Sequence, residues 1–325
     1  MNIGILGAGS WGTALAMAAH RAGHRTLLWG RDAASLRDID EERENRRYLP
    51  GISIDRQIRI EPRQIQLCTM DMLLAAVPAQ AMRDALAPLE GFGGALLICA
   101  KGIERGTGAR LSEVAREMLA NASIGVLSGP SFAGEVALGK PTALTLGMSD
   151  AGDARDAAHA LSSGALRIYP SDDPVGIEIG GAMKNVIAIA AGAVMGRDLG
   201  ENARAAVITR GLAEISRLAI RLGGRPETLS GLSGLGDLML TATSLTSRNT
   251  AFGHALGRGA DPTTLREGGG KLSEGAWTAS AALSLAGRHG IELPITQAVA
   301  DVLEGRADLD EAIAFLINRP LRERE

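Results

Sequence analysis

The chain predicts an α/β protein: a doubly wound parallel sheet over residues 1–175, followed by an all-helical domain over residues 176–325. Three observations predict it. Short apolar runs alternate with helix-patterned segments through the first half, as in a parallel sheet covered on both faces. That alternation stops near residue 170, and beyond it apolar residues recur only at helical spacing. A glycine loop follows the first apolar run directly and opens the first helical segment.

Each element follows in order. Residues 3–6 read as a strand, the alanine-rich residues 12–22 as a helix, and residues 25–29 as a second strand. The charged stretch from Arg37 to Arg47 reads as a solvated surface segment, closed by Leu49-Pro50-Gly51. Leu67 and residues 73–77 and 94–99 supply further apolar runs, with helices expected over 79–89 and 109–120. Residues 124–128, 143–146 and 167–169 complete the strand series. In the second half, Ile208, Leu212, Ile215, Ala219 and Leu222 fall at alternating spacings of four and three, one stripe of a helix. Pro294 is placed to start a helix, and residues 312–316 belong to another.

Composition narrows the function classes. The 325 residues are 46% hydrophobic, enough to bury a sizeable core, which excludes disorder. Lys and Arg number 34 against 37 Asp and Glu, so no nucleic-acid or membrane-surface footprint is written into the charge. Cys68 and Cys99 cannot build a disulfide framework and fit a reducing compartment. The strand pattern starts at Asn2, which leaves no room for a signal peptide, and residues 179–196 hold Lys184 and Asn185, making a poor membrane span. A cytoplasmic protein is expected. The five histidines show no ligand spacing, so no metal site is expected. Glycine is in excess, 42 residues against a usual share of about 7%. It falls in clusters that imply close backbone approaches.

One cluster is Gly7-Ala8-Gly9-Ser10-Trp11-Gly12. In a Rossmann-type βαβ unit Gly7 permits the tight turn, Gly9 lets a pyrophosphate approach the backbone, and Gly12 lets the helix pack close. The choice of cofactor is read at the end of the second strand, where an NAD site places an acid for the ribose 2′-OH. Here Gly30 is followed by Arg31 and Asp32. Glycine at the tip removes the repulsion of a 2′-phosphate and Arg31 can neutralise it, so NADPH is accepted and preferred, with NADH possible.

In the second half, Lys184 is the one charged residue of an otherwise apolar helical stretch, residues 179–196. Two readings fit it: a lysine that snorkels out at a helix crossing, or a desolvated lysine whose lowered pKa lets it exchange a proton with a carbonyl or alcohol oxygen. Asp237 follows a glycine-rich run and either caps a helix start or pairs with Lys184, with Thr241 one turn on. Ser247-Arg248-Asn249 opens a further helix, where free N–H groups, a guanidinium and an amide suit a phosphate. Lys101, in Ala100-Lys101-Gly102, and Ser128-Gly129-Pro130-Ser131-Phe132-Ala133 both follow strands, where open sheets bind ligands.

Taken together, these motifs resemble bacterial NAD(P)-dependent glycerol-3-phosphate dehydrogenases along nearly the whole chain. The resemblance rests on the glycine loop, Ala100-Lys101-Gly102, the 128–133 segment, Gly180-Gly181-Ala182-Met183-Lys184-Asn185-Val186, Gly234-Leu235-Gly236-Asp237-Leu238 and Ser247-Arg248-Asn249. It implies reversible reduction of dihydroxyacetone phosphate to sn-glycerol 3-phosphate with NADP or NAD as cofactor, feeding phospholipid synthesis, and a homodimer. It also implies Lys184 as proton donor and acceptor with Asp237 as its catalytic companion, and Lys101, Gly129, Ser131, Lys184, Asp237, Ser247, Arg248 and Asn249 around the substrate. Ser10, Trp11, Arg31, Lys101, Ala133, Arg248, Leu272 and Glu274 would meet the cofactor. Two departures stand out: Met195-Gly196 where the family has Asp-Gly, and Lys271-Leu272-Ser273-Glu274-Gly275 where it has Val-Val-Glu-Gly. Two other readings share parts of the pattern. A two-domain hydroxy-acid dehydrogenase would not need the anion site at 247–249, and a non-catalytic NADP sensor would not need Lys184.

Overall fold

The computed structural model describes residues 1–267 and 274–318. The chain begins with β1 (Asn2–Leu6), α1 (Ser10–Arg21), β2 (Arg25–Trp29) and α2 (Ala33–Glu42). An antiparallel hairpin follows, β3 (Glu44–Asn45) with β4 (Leu49–Ser53). Next come β5 (Arg59–Ile60), β6 (Met72–Ala75), α3 (Met82–Leu86), β7 (Ala95–Ile98), α4 (Leu111–Met118) and β8 (Ser123–Ser128). Helix α5 (Ala133–Ala137), β9 (Thr142–Met148), α6 (Ala151–Leu161) and β10 (Leu166–Ser171) complete the sheet region.

Eight of these strands form one sheet in the order β10-β9-β8-β7-β6-β1-β2-β5. Its strands are near-continuous apolar runs because both faces are covered. Along β6 and β7, Leu74 and Leu97 pack on the α1 and α6 side, while Leu73, Leu96 and Ile98 pack on the α3 and α4 side. The expectation of a wholly parallel sheet needs correction: β9 runs antiparallel to β8, and β10 follows β9. The reason is the connection. A parallel return must cross back over the sheet, whereas α5 packs against α1 and the chain re-enters from the same end, pairing Ser128 with Thr145. Leu67, read as part of a strand series, lies instead in a short 3-10 helix over Gln64–Thr69. The charged 37–47 segment is more than a solvated surface: Ile39 and Asn45 are buried in it.

From Pro174 onward the described chain is helical: α7 (Pro174–Gly196), α8 (Gly200–Arg221), α9 (Pro226–Ser230), α10 (Asp237–Ala242) and α11 (Arg248–Gly257). They are followed by α12 (Pro262–Glu267), α13 (Glu274–Arg288), α14 (Pro294–Leu303) and α15 (Leu309–Ile317). Pro174 sits at the first helical position of α7, and Asp173 caps it by accepting from the Gly176 N–H at 2.8 Å. By length and composition α7 could cross a membrane, yet its apolar window is 89% buried inside the fold. Helices α8, α10, α11 and α13 pack around it, which explains why it is apolar all round.

Two features lock α7 in place. Its glycines admit other backbones: a Cβ on Gly180 would stand 2.8 Å from the Ser233 carbonyl, and Cβ atoms on Gly192 and Gly196 would overlap carbonyls of α11. Glu178 of α7 also reaches the sheet region, accepting from the Ser112 N–H at 2.8 Å and its hydroxyl at 2.6 Å, at the start of α4. Burial pushes the Glu178 carboxyl above its ordinary value, although Arg110 and Ser112 pull it down.

Candidate active site

The glycine loop joins β1 to α1. Gly7 has φ +118°, the left-handed region where a side chain is strained, and its N–H donates to the Trp29 carbonyl at 2.8 Å. A Cβ on Gly12 would collide with the Gly7 carbonyl, so only glycine lets α1 start this close to the strand. Around Gly9 there is open space. Asn45 of the hairpin pins the loop from behind, its amide donating to the Ala8 carbonyl at 2.9 Å and to Thr13 Oγ1 at 2.8 Å.

In front of the loop lies a cleft of about 750 Å³, running from Arg31 and Tyr48 at one end to Lys184 and Ser247 at the other. Its length and chemistry suit a dinucleotide. No side chain caps the start of α1, so its first N–H groups are open to an anion. The Trp11 indole N–H is also buried there without an acceptor. Arg31 lies exposed at the far end, and Asp32, also exposed there, caps α2 by accepting from the Ala34 and Ser35 N–H groups.

At the near end three charges meet. Asp237, the first residue of α10, is 0% exposed, and its two carboxylate oxygens accept from Lys184 of α7 and Lys101 after β7. It does not cap the helix; the pairing reading of this residue is the one the geometry carries. The Lys184 ammonium also donates to Thr241 Oγ1 at 2.7 Å, one turn along α10. Burial drags the Lys184 pKa down to about 7, helped by the charge of Lys101 and opposed by Asp237. Both lysines and Thr241 face the cleft; Asp237 lies behind them.

Around this group, the Gly129 carbonyl accepts from Lys101 at 3.5 Å and from the Ser131 hydroxyl at 3.1 Å. Gly129 has φ +148° and lies against Leu144, outside the lining of the cleft, which Ser131 and Ala133 do line. Glu274, at the start of α13, borders the cleft with its carboxyl pushed up by burial and drawn down by Arg248 and Lys101. The Cys99 thiol also borders it and is held well above its ordinary value by burial, an unreactive sulfur.

The anion site at 247–249 is narrower than its sequence implies. Ser247 caps α11 by accepting from the Thr250 N–H at 3.3 Å. The Asn249 amide is committed to structure: it donates to Asn185 Oδ1 at 3.0 Å and accepts from the Gly275 N–H at 3.0 Å. That leaves the Arg248 guanidinium and the backbone N–H groups at the helix start facing the cleft. Leu272 lies outside the described residues. Asn185, Asn45 and Tyr48 were not singled out by the motifs. Asn185 follows Lys184 directly and is a visible signal; the other two sit in the charged segment, where nothing periodic marks them.

Comparison with known proteins adds independent support. Residues 2–154 match the family model of the NAD-dependent glycerol-3-phosphate dehydrogenase N-terminus, and residues 173–314 that of its C-terminus. The chain is 51% identical to the glycerol-3-phosphate dehydrogenase [NAD(P)+] of Methylobacterium radiotolerans, covering 98% of this chain and 97% of that one. It is 49% identical to the enzyme of the same name from Rhodospirillum rubrum, covering 99% and 93%. The crystal structure of glycerol-3-phosphate dehydrogenase from Coxiella burnetii superposes with a TM-score of 0.93 at 37% identity, over 98% of this chain and 99% of that one. The two family models lie in sequence order on the sheet region and the helical region, and the superposition spans nearly the whole chain. The chain belongs to the NAD-dependent glycerol-3-phosphate dehydrogenase family.

Proposed function

We propose that the protein reversibly reduces dihydroxyacetone phosphate to sn-glycerol 3-phosphate with NADPH or NADH, supplying glycerol 3-phosphate for phospholipid synthesis. The observation that carries this reading is Lys184: a lysine on a buried helix, facing the cleft between Asp237 and Thr241, with a pKa near 7. Bound nicotinamide cofactor supplies or accepts the hydride. Lys184 moves the proton: as an ammonium it protonates the C2 oxygen during reduction, and as an amine it takes the hydroxyl proton during oxidation. A pKa near neutrality serves both directions. Asp237 acts through the lysines as a positioning residue, since both its oxygens are engaged.

Substrate recognition is assigned to the surroundings of that lysine. Lys101, Ser131, the Gly129 segment and the start of α11, through Ser247, the Arg248 guanidinium and the backbone N–H groups up to Asn249, form the phosphate end, while the Asn249 side chain braces the helix against Asn185 and Gly275. A dianion there meets a guanidinium and open helix N–H groups, the pairing that favours charge-assisted bonds. For the cofactor, Gly7, Gly9, Gly12, Ser10 and Trp11 surround the pyrophosphate, Arg31 the ribose end, and Lys101, Ala133, Arg248 and Glu274 the nicotinamide end. The part binding the cofactor ends near residue 175, where the last strand stops at Ser171 and α7 starts at Pro174. A cytoplasmic homodimer follows from the family resemblance, and sedimentation would read the assembly directly.

The deciding assay follows NADPH oxidation with dihydroxyacetone phosphate against unphosphorylated dihydroxyacetone. Turnover of the phosphorylated ketone alone is the expected result; activity with neither would sink the assignment. A dehydrogenase acting on a hydroxy acid would not need Arg248 at the substrate's end, and a sensor would not need Lys184.

A further inference from the structure

The β3–β4 hairpin is the part of the sheet region that the catalytic reading leaves unused. It is fastened to the glycine loop: Asn45, 1% exposed, bonds Ala8 and Thr13, and its Oδ1 accepts from the Tyr48 N–H at 3.3 Å. Any rigid shift of the hairpin therefore breaks buried bonds to the loop. The turn carries Tyr48 into the lining of the cleft beside Arg31 and Asp32, and sets Arg47 against Asp32.

The charges there are arranged unusually for a site that would read a ribose hydroxyl. In such a site an acid past the second strand accepts from the 2′-OH. Here Asp32 Oδ1 accepts from the Ala34 and Ser35 N–H groups at 3.1 and 3.2 Å, and Oδ2 faces the Arg47 guanidinium at 3.5 Å. Both oxygens have work elsewhere. Arg47 also stacks over the Tyr48 ring at 5.2 Å from its centroid, an arrangement that orients a long side chain without immobilising its charge. Its neighbour Arg46 pairs with Glu42 and Glu44 and turns away. Two guanidiniums, Arg31 in the lining of the cleft and Arg47 just outside it against Asp32, thus stand beside one carboxylate that is already engaged.

We propose that the β3–β4 hairpin is a specificity element for the cofactor, with Arg47 neutralising Asp32 and pairing with the 2′-phosphate of NADPH alongside Arg31. This rests on the cofactor reading of the cleft and adds to it the residue that suppresses the acid. Arg47 is 65% exposed, so its replacement leaves the fold intact.

The test is equilibrium binding to the substrate-free protein, followed by nicotinamide fluorescence, with NADPH and NADH as probes and 2′-AMP as competitor. Arg47→Ala is expected to raise the Kd for NADPH about tenfold, weaken 2′-AMP in parallel, and leave NADH within about twofold. Arg47→Glu should widen the NADPH loss further. Equal shifts for both dinucleotides, or none, would overturn the proposal. If Arg31→Ala changes the NADPH to NADH ratio while Arg47→Ala does not, the hairpin proposal falls and the Arg31 reading stands. If neither variant changes it, both fall.

Discussion

Gly192 of α7 lies against the backbone carbonyl of Thr250 in α11, so closely that a Cβ would overlap the oxygen. The contact is reciprocal along the crossing: Gly253 of α11 meets the Ile189 carbonyl, and Gly257 meets that of Ala193. The helix carrying Lys184 and the helix opened by Arg248 therefore touch backbone to backbone. Lys184 and Arg248 thus ride on two helices held at backbone contact by these glycines.

Alanine at Gly192 or Gly253 is expected to cost about 2–4 kcal/mol, because the nearest atoms are backbone and cannot step aside. Gly287→Ala in α13 is the control. It meets nothing within 4 Å, and should stabilise by about 0.5–1 kcal/mol through helix propensity. Denaturant midpoints of the three variants check the contrast.

The pH dependence has a definite sign. Lys184 titrates near 7, so the reductive kcat/KM should fall as pH rises through 7, and the oxidative one should rise over the same interval. Lys184→Ala removes both limbs with turnover down by at least ~10³-fold, while NADPH affinity stays close to that of the parent. Parallel profiles in the two directions would refute the role.

Asp237→Asn removes the charge that holds the Lys184 ammonium up against burial. The reductive limb should move to lower pH, and turnover should drop by about 10²-fold as the two lysines lose their common partner. A purely structural role would lower stability and leave the limb where it was. Stopped-flow rates across pH 5–9 distinguish the two.

Arg248→Ala should raise KM for dihydroxyacetone phosphate by about 10–100-fold with a smaller change in kcat, since charge-assisted bonds to a phosphate contribute about 1.5–3 kcal/mol. Arg248→Lys should recover part of it. An unchanged KM would count against the phosphate role.

Local signals were the readable ones. The glycine loop, the lone lysine of an apolar helix and the opening of α11 each declare themselves within a dozen residues, and each occupies the cleft. What depends on distant partners was not readable. Strand direction at β9 is set by where α5 packs, which no periodicity encodes. Asn249 reads as a phosphate ligand until Asn185 and Gly275 arrive from other helices to occupy its amide. Asn45 looks like one more polar residue in a charged run, yet its burial depends on a hairpin folding over the loop.

Asp237 has one oxygen for a lysine borne by the sheet and one for a lysine borne by α7. Glu178 and Ser112 repeat the tie across the same boundary, and Arg288 does so again by donating to the Gly108 carbonyl at 2.9 Å. Parting the two regions would take Lys101 from Asp237 and Arg110 and Ser112 from Glu178, leaving two buried carboxylates short of their partners. The two regions are therefore expected to act as one unit: a chain severed at the end of the sheet should yield no autonomous cofactor-binding half, and the two family segments should melt in a single transition.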